Sequence, residues 1–341
     1  MRRLCLLLAL LLTPLAAGAD DVDVRTLLTE TGGRLEWNSL LQTGVLTAGG
    51  NRIVFAVNAP WIVVNSSLKI PTAGVRRENG RIVFPEATAA SIKNVLAGGD
   101  AAPRTYRIAA IVLDPGHGGR DSGASYSYVI DGKTVRISEK DIVLRIGQML
   151  LGMLKKRFPD KTVLMTRTRD VTLPLEERPA VANAIPLKDD EAVIYISLHT
   201  NASLSRTARG FEVWYLTSTY RRDLVPASAV DTEYRDILPI MNSMQEEEFT
   251  RESVLLARMI LGELQSAVGG ETDNRGMKEG EWLVVRKAKM PSILIEFGFV
   301  SNREEAVKLT STPYLQKLSG AVYNGVSAFI ERFERSKAFT E

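Results

Sequence analysis

The sequence predicts an α/β domain on a mostly parallel, mixed sheet with helices on both faces, preceded by a small β-rich module. Apolar runs recur at 108–113, 162–165, 192–197, 211–216, 283–285 and 293–295. Several are apolar on both faces, as strands covered by helices must be. Amphipathic helical stripes lie between them. Before residue 97 the pattern is different: short alternating stretches follow one another closely, separated by turn residues.

The chain opens on "MRRLCLLLALLLTPLAAGAD", with Arg2 and Arg3, an apolar core over 4–12 and then Ala17-Gly18-Ala19. This pattern predicts a secretory signal peptide over 1–19, and an uncleaved anchor is the alternative. The apolar run is short for a membrane span. Cys5, the only cysteine, lies inside it, so a mature chain in an oxidising compartment would carry no disulfide and rely on an ordinary core. No later segment is long and apolar enough to span a membrane. The expected location is therefore outside the cytoplasm, in the periplasm or cell envelope. The formal net charge of +3 falls to +1 once Arg2 and Arg3 leave, which gives no electrostatic case for nucleic acid.

The module over 20–97 contains "GGRLEWNSL", "TGVLTAG", "NRIVFAVN", "WIVVNSSLKI" and "GRIVFPEA", with turns at Gly32-Gly33, Gly49-Gly50-Asn51 and Asn79-Gly80. Trp37 and Trp61 read as core, with a sugar-stacking surface as the alternative. "AGGDAAPRT" has a linker's composition, which places a linker at 98–106 and the second domain at 107–336. In that domain "SEKDIVLRIGQMLLGMLKKR" sets Ile142, Val143, Ile146, Met149, Leu150 and Met153 on one helical stripe. "SVLLARMILGELQSAVGG" is a second helix ending at glycines. "PYLQKLSGAVYNGVSAFIERFER" is a third, with Pro313 in its first turn.

The chain has two histidines, and each follows a predicted strand: His117 in "IVLDPGHGGRDSGA" and His199 in "AVIYISLHTNAS". In open α/β sheets, ligands bind beyond the carboxyl ends of strands. An isolated loop histidine is usually just hydrogen-bonded, but Gly116, Gly118 and Gly119 allow close approach to a ligand. A phosphate cradle would need a Lys-Ser/Thr ending that is absent. Glu139 follows Ser138 at a helix start, where Ser138 could cap and a first-turn carboxylate suits the dipole. Glu296 in "SILIEFGFVSN" is harder to explain structurally, because burying a carboxylate among such neighbours costs several kcal/mol unless something compensates. Two imidazoles and one carboxylate make a three-ligand zinc set with a position left for water, and a further carboxylate could handle its proton.

The pieces "LDPGHGGRDSGA", "SEKDIVL", "VLMTRTRDVTLPLEER", "ISLHTNAS", "RGFEVWYL" and "NRGMK…LVVRKAKMPSILIEFGFVSNREEA" resemble, in order, the zinc-dependent N-acetylmuramoyl-L-alanine amidases of bacterial cell-wall turnover. The resemblance spans about 108–330. It implies that His117, Glu139 and His199 bind Zn2+ and that Glu296 is the catalytic carboxylate. The implied reaction is cleavage of the amide between N-acetylmuramic acid and L-alanine of the peptidoglycan stem. Arg286 matches a family arginine that would hold a substrate carboxylate or the oxyanion, with a surface ion pair as the alternative. Asn201 would support the site or simply turn the chain. The first module loosely resembles the N-terminal domain of copper amine oxidases, in shape only and with no copper implied.

Two departures stand out. Pro179 interrupts "LEERPAVANA" and is tolerable only in the first turn of a helix. The insert over 217–253 contains "YRDILPIMNSMQEEEF", a possible amphipathic helix ending in Glu246, Glu247 and Glu248. By resemblance, one of these would cap the metal until an activator protein displaces the insert; a solvated acidic turn is the alternative. Two other readings remain open: a catalytically silent peptidoglycan-binding protein, and a zinc peptidase cutting within the stem.

Overall fold

The computed structural model describes residues 21–39, 42–49, 51–59, 61–64, 68–72, 74–96, 107–188, 191–224 and 238–335. The expected signal peptide and linker lie outside these. The chain divides into two compact units, Met1–Ala102 and Pro103–Glu341.

The first unit begins with β1 (Val22–Asp23) and helix α1 (Val24–Thr31), where the Asp23 carboxylate caps the helix by accepting from Arg25 N. An antiparallel meander follows: β2 (Arg34–Asn38), β3 (Thr43–Ala48), β4 (Asn51–Ala56), β5 (Trp61–Val64) and β6 (Leu68–Pro71). Strand β8 (Arg81–Phe84) pairs with β1 on one side and with β7 (Arg76–Glu78) on the other, and α2 (Glu86–Leu96) closes the unit. Its core gathers Leu27, Leu46, Ile53, Phe55, Ile62, Phe84 and Ile92. Trp37 stacks on Phe55 at 6.2 Å and packs against that core.

The second unit holds β9 (Arg107–Pro115), the hairpin β10 (Ser125–Ile130) and β11 (Lys133–Ser138), α3 (Glu139–Arg157), β12 (Thr162–Met165) and α4 (Glu177–Asn183). Next come β13 (Glu191–Asn201), β14 (Phe211–Tyr215), α5 (Leu238–Val268), β15 (Asn274–Glu279) and α6 (Leu283–Lys287). The unit ends with β16 (Ser292–Phe299), α7 (Arg303–Thr310) and α8 (Thr312–Arg335). The sheet order is β12-β9-β13-β16-β14-β15; β14 is antiparallel to β16, and the other pairs are parallel.

Each central strand feeds two cores. On β9, Ile108, Ile111 and Leu113 join the core under α3, α5 and α8, while Ala110 and Val112 face the smaller one under α4 and α6. β13 divides the same way between Ile194 and Ile196 on one side and Val193 and Tyr195 on the other. Alternation disappears from such strands because both faces are dry.

The structure corrects several expectations. The run at 283–285 is not a strand; it starts α6, and such short apolar runs carry no distinguishing period. The edge place belongs to β15, whose polar "NRGMKE" suits an edge strand. The two helices expected on either side of residue 250 are one 31-residue helix, α5, because "QEEEFTRESVLLARM" contains neither glycine nor proline. Ser138 does not cap α3; its hydroxyl pairs with Ser125 at 3.0 Å across the hairpin. Pro179 sits in the first turn of α4. Among the described residues, no helix is long and apolar enough to cross a membrane.

Candidate metal and catalytic centre

Three chain segments meet at the carboxyl end of the sheet. β9 ends at Asp114-Pro115, and Gly116 N continues its ladder by donating to Leu198 O at 2.9 Å. The chain then turns at His117, whose φ of 57° lies in the left-handed region. Gly116 is required there, because a Cβ would stand 2.3 Å from the His199 ring. β13 carries His199 at its end, where its register with β16 shifts between His199 and Asn201. Glu139 is the first residue of α3, so its carboxylate also meets the positive end of that helix.

These three side chains offer ligand atoms within 4.8 Å of one another. Glu139 sits between the imidazoles: Oε2 is 3.2 Å from His117 Nε2, and Oε1 is 2.9 Å from His199 Nδ1. Ala124 N and Thr200 N donate to the same two oxygens, at 2.9 and 3.0 Å. Burial would raise the Glu139 carboxyl, but the two histidines outweigh it and hold the group far below the usual carboxylate range.

The donor set suits zinc. His117 Nδ1 donates to Asp121 Oδ2 at 2.7 Å, which fixes the tautomer and leaves the Nε2 lone pair facing the cluster. Two imidazole nitrogens and one carboxylate are the ligands of an open catalytic zinc site.

Glu296 lies beside this cluster. It is the register partner of His199 on β13 and of Glu212 on β14. It is buried, and its Oε2 has no hydrogen-bond partner. Burial, then the charges of Glu139 and Glu212, push its carboxyl well above the usual range. Burial and like charge thus favour its protonated form over the carboxylate.

The other expected residues divide. Asn201 donates to Glu212 Oε1 at 3.0 Å, which places it in the network behind Glu296. Arg286 lies on α6, with its Nε buried and unpartnered and its guanidinium 5.7 Å from the Tyr220 ring. Among the described residues, Arg286 makes no ion pair, and no hydrogen bond joins it to the histidines.

Among the described residues, none of the three insert glutamates belongs to the group whose ligand atoms lie within 4.8 Å of one another. Glu246 is buried and gives both oxygens to Arg222, with contacts of 2.6 and 2.8 Å. Arg222 also donates to the carbonyls of Val285 on α6 and of Ala288 just past its end. A buried carboxylate is held by the nearest buried cation. Glu247 is exposed and pairs with Arg251 at 3.7 Å, while Glu248 accepts from Gln245 at 3.0 Å.

Sequence reasoning missed four supporting residues: Asp114, Arg167, Arg178 and Glu212. Asp114 is fully buried, paired with Arg178 at 3.0 Å and bonded by Thr166 and Ser197. A charge within the apolar run "IVLDP" was the available signal, of the same kind that drew attention to Glu296.

Comparison with known proteins agrees with this geometry. The chain is 28% identical over 232 residues to the N-acetylmuramoyl-L-alanine amidase AmiC of Escherichia coli O6:H1, covering 64% of this chain and 52% of that protein. It is 31% identical over 234 residues to the probable amidase AmiB of Haemophilus influenzae, covering 64% and 51%. The match thus spans about half the length of these curated relatives. The crystal structure of an N-acetylmuramoyl-L-alanine amidase from Clostridium difficile 630 superposes with a TM-score of 0.50 at 26% identity, covering 66% of this chain and 98% of that one. Residues 111–328, which run from β9 into α8 and enclose every side chain of the cluster, match the family description, so this chain belongs to the N-acetylmuramoyl-L-alanine amidase family.

Proposed function

We propose that the protein is an exported, zinc-dependent peptidoglycan hydrolase that cleaves the amide between N-acetylmuramic acid and L-alanine of the stem peptide. One observation carries this reading: the His117, Glu139 and His199 ligand atoms converge within 4.8 Å, next to the bare carboxylate oxygen of Glu296. A zinc ion held by those three residues would polarise the scissile carbonyl and acidify a water. Glu296 accepts the proton of the attacking water and returns it to the departing alanine nitrogen, which must leave as an amine. Its raised proton affinity suits both halves of that transfer. Asp121 keeps His117 in the tautomer that presents Nε2. Arg286, with an unpartnered Nε on the face shared by α6, is assigned to a substrate carboxylate or the developing oxyanion.

The signal-like segment over 1–19 supports export to the cell envelope. An activator acting at 217–253 would have to break the Arg222–Glu246 pair or move α6 with it. Digestion of purified cell-wall material tests the reaction. The proposal expects new N-terminal L-alanine on released peptides; new ends elsewhere in the stem, or none, would overturn it.

A further inference from the structure

The two ligands His117 and Glu139 belong to different elements, a loop after β9 and the start of α3, with the whole β10–β11 hairpin between them. Their meeting therefore needs something that touches both. Arg167, just past β12, does so. It is 3% exposed, and its Nη2 donates to Gly116 O at 2.7 Å and to Lys140 O at 2.8 Å. These carbonyls belong to the residue before His117 and the residue after Glu139. Its Nε donates to Pro115 O at 2.9 Å. Arg178 completes the brace from the other side, donating to Pro115 O at 2.8 Å and His117 O at 2.6 Å, so the left-handed His117 is gripped at its own carbonyl.

Arg178 is neutralised by Asp114. Arg167 differs: among the described residues, no carboxylate lies within ion-pair distance of it, and its guanidinium is spent on backbone carbonyls. Asp170, Asp114 and Asp141 offset its charge only from beyond ion-pair distance, and a lysine could not replace the planar fork that reaches four carbonyls at once.

We propose that Arg167 is a positioning residue for the metal site: it sets the spacing of the His117 and Glu139 ligand atoms by clamping the backbone on both sides. The inference rests on reading the cluster as a zinc site. Both are tested by titrating zinc into the full chain against a chromophoric chelator and by recording the visible spectrum of the cobalt-substituted protein. Arg167→Lys should bind zinc at least about tenfold more weakly than wild type and show an altered cobalt spectrum. Arg167→Ala should behave likewise and regain affinity when guanidinium is added, a recovery that a general loss of structure would not show. If the alanine variant does not fold, Arg167→Gln, which keeps two donors of the fork without its charge, is read in the same way, with recovery on added guanidinium deciding. Wild-type affinity and spectrum in the folded variants would overturn the inference alone. A wild-type chain that binds no zinc would overturn the zinc reading, and this inference with it.

Discussion

Glu212 and Glu296 are direct register partners on antiparallel strands, yet one carboxylate is fully engaged and the other has a bare oxygen. Glu212 accepts from Asn201 and Trp214 at 3.0 Å each, from Arg275 at 2.7 Å and from Lys278 at 2.6 Å. It remains ionised, and its charge is one of the causes that raise Glu296. Glu212→Gln removes that charge, so Glu296 should lose its proton more readily. The acid limb of the kcat/KM profile is expected to move to lower pH; an unmoved limb would separate Glu212 from proton transfer.

The roles of ligand and proton carrier separate by substitution. Glu296→Gln should retain zinc, since Glu296 is outside the three-residue cluster, and lose roughly 10²–10⁴-fold in kcat. His199→Ala should lose both zinc and activity. Metal analysis of the purified variants beside a wall-digestion assay checks the pair.

Protons and zinc compete at His117. Burial pulls its imidazole down, but hydrogen bonds and charge from Glu139, then Asp121, outweigh this and hold it above its ordinary value of 6.5. In the metal-free protein this contact stabilises the fold fully below pH 6.5 and is lost as pH rises through the folded value. Zinc needs the neutral ring, so its affinity should rise with pH through the same window, with proton release on binding. Calorimetry in buffers of different ionisation enthalpy measures that release.

The Arg222–Glu246 pair is buried on both sides. Glu246→Ala leaves Arg222 without its counter-ion and should cost about 3–5 kcal/mol in urea unfolding. Zinc content per folded molecule should stay at the wild-type level, because neither residue belongs to the cluster. A fall in zinc content would show that the insert reaches the metal.

Much of the centre was legible because chemistry interrupts pattern. Histidine and glutamate at or just past the ends of dry apolar runs have few structural reasons to be there, and His117, His199 and Glu296 all announced themselves in this way. Glu139 was legible only through resemblance, since a carboxylate in a helix's first turn is ordinary. Arg167 and Arg178 were not legible at all. Their work is done on backbone carbonyls, which leave no mark in a side-chain pattern. The β10–β11 hairpin was missed although Asp131-Gly132 flanked by alternating residues is a strong turn signal. The 283–285 run was misread because three apolar residues fit the start of a helix as well as a strand.

That hairpin leaves and rejoins the body at Ser125 and Ser138, which face each other in register, while its tip at Asp131-Gly132 is exposed. Chain inserted at the tip therefore adds nothing to the gap between its two feet. A reporter peptide or a small folded cargo could be spliced there while the residues bounding it keep their places, which gives the chain a natural graft point between His117 and Glu139.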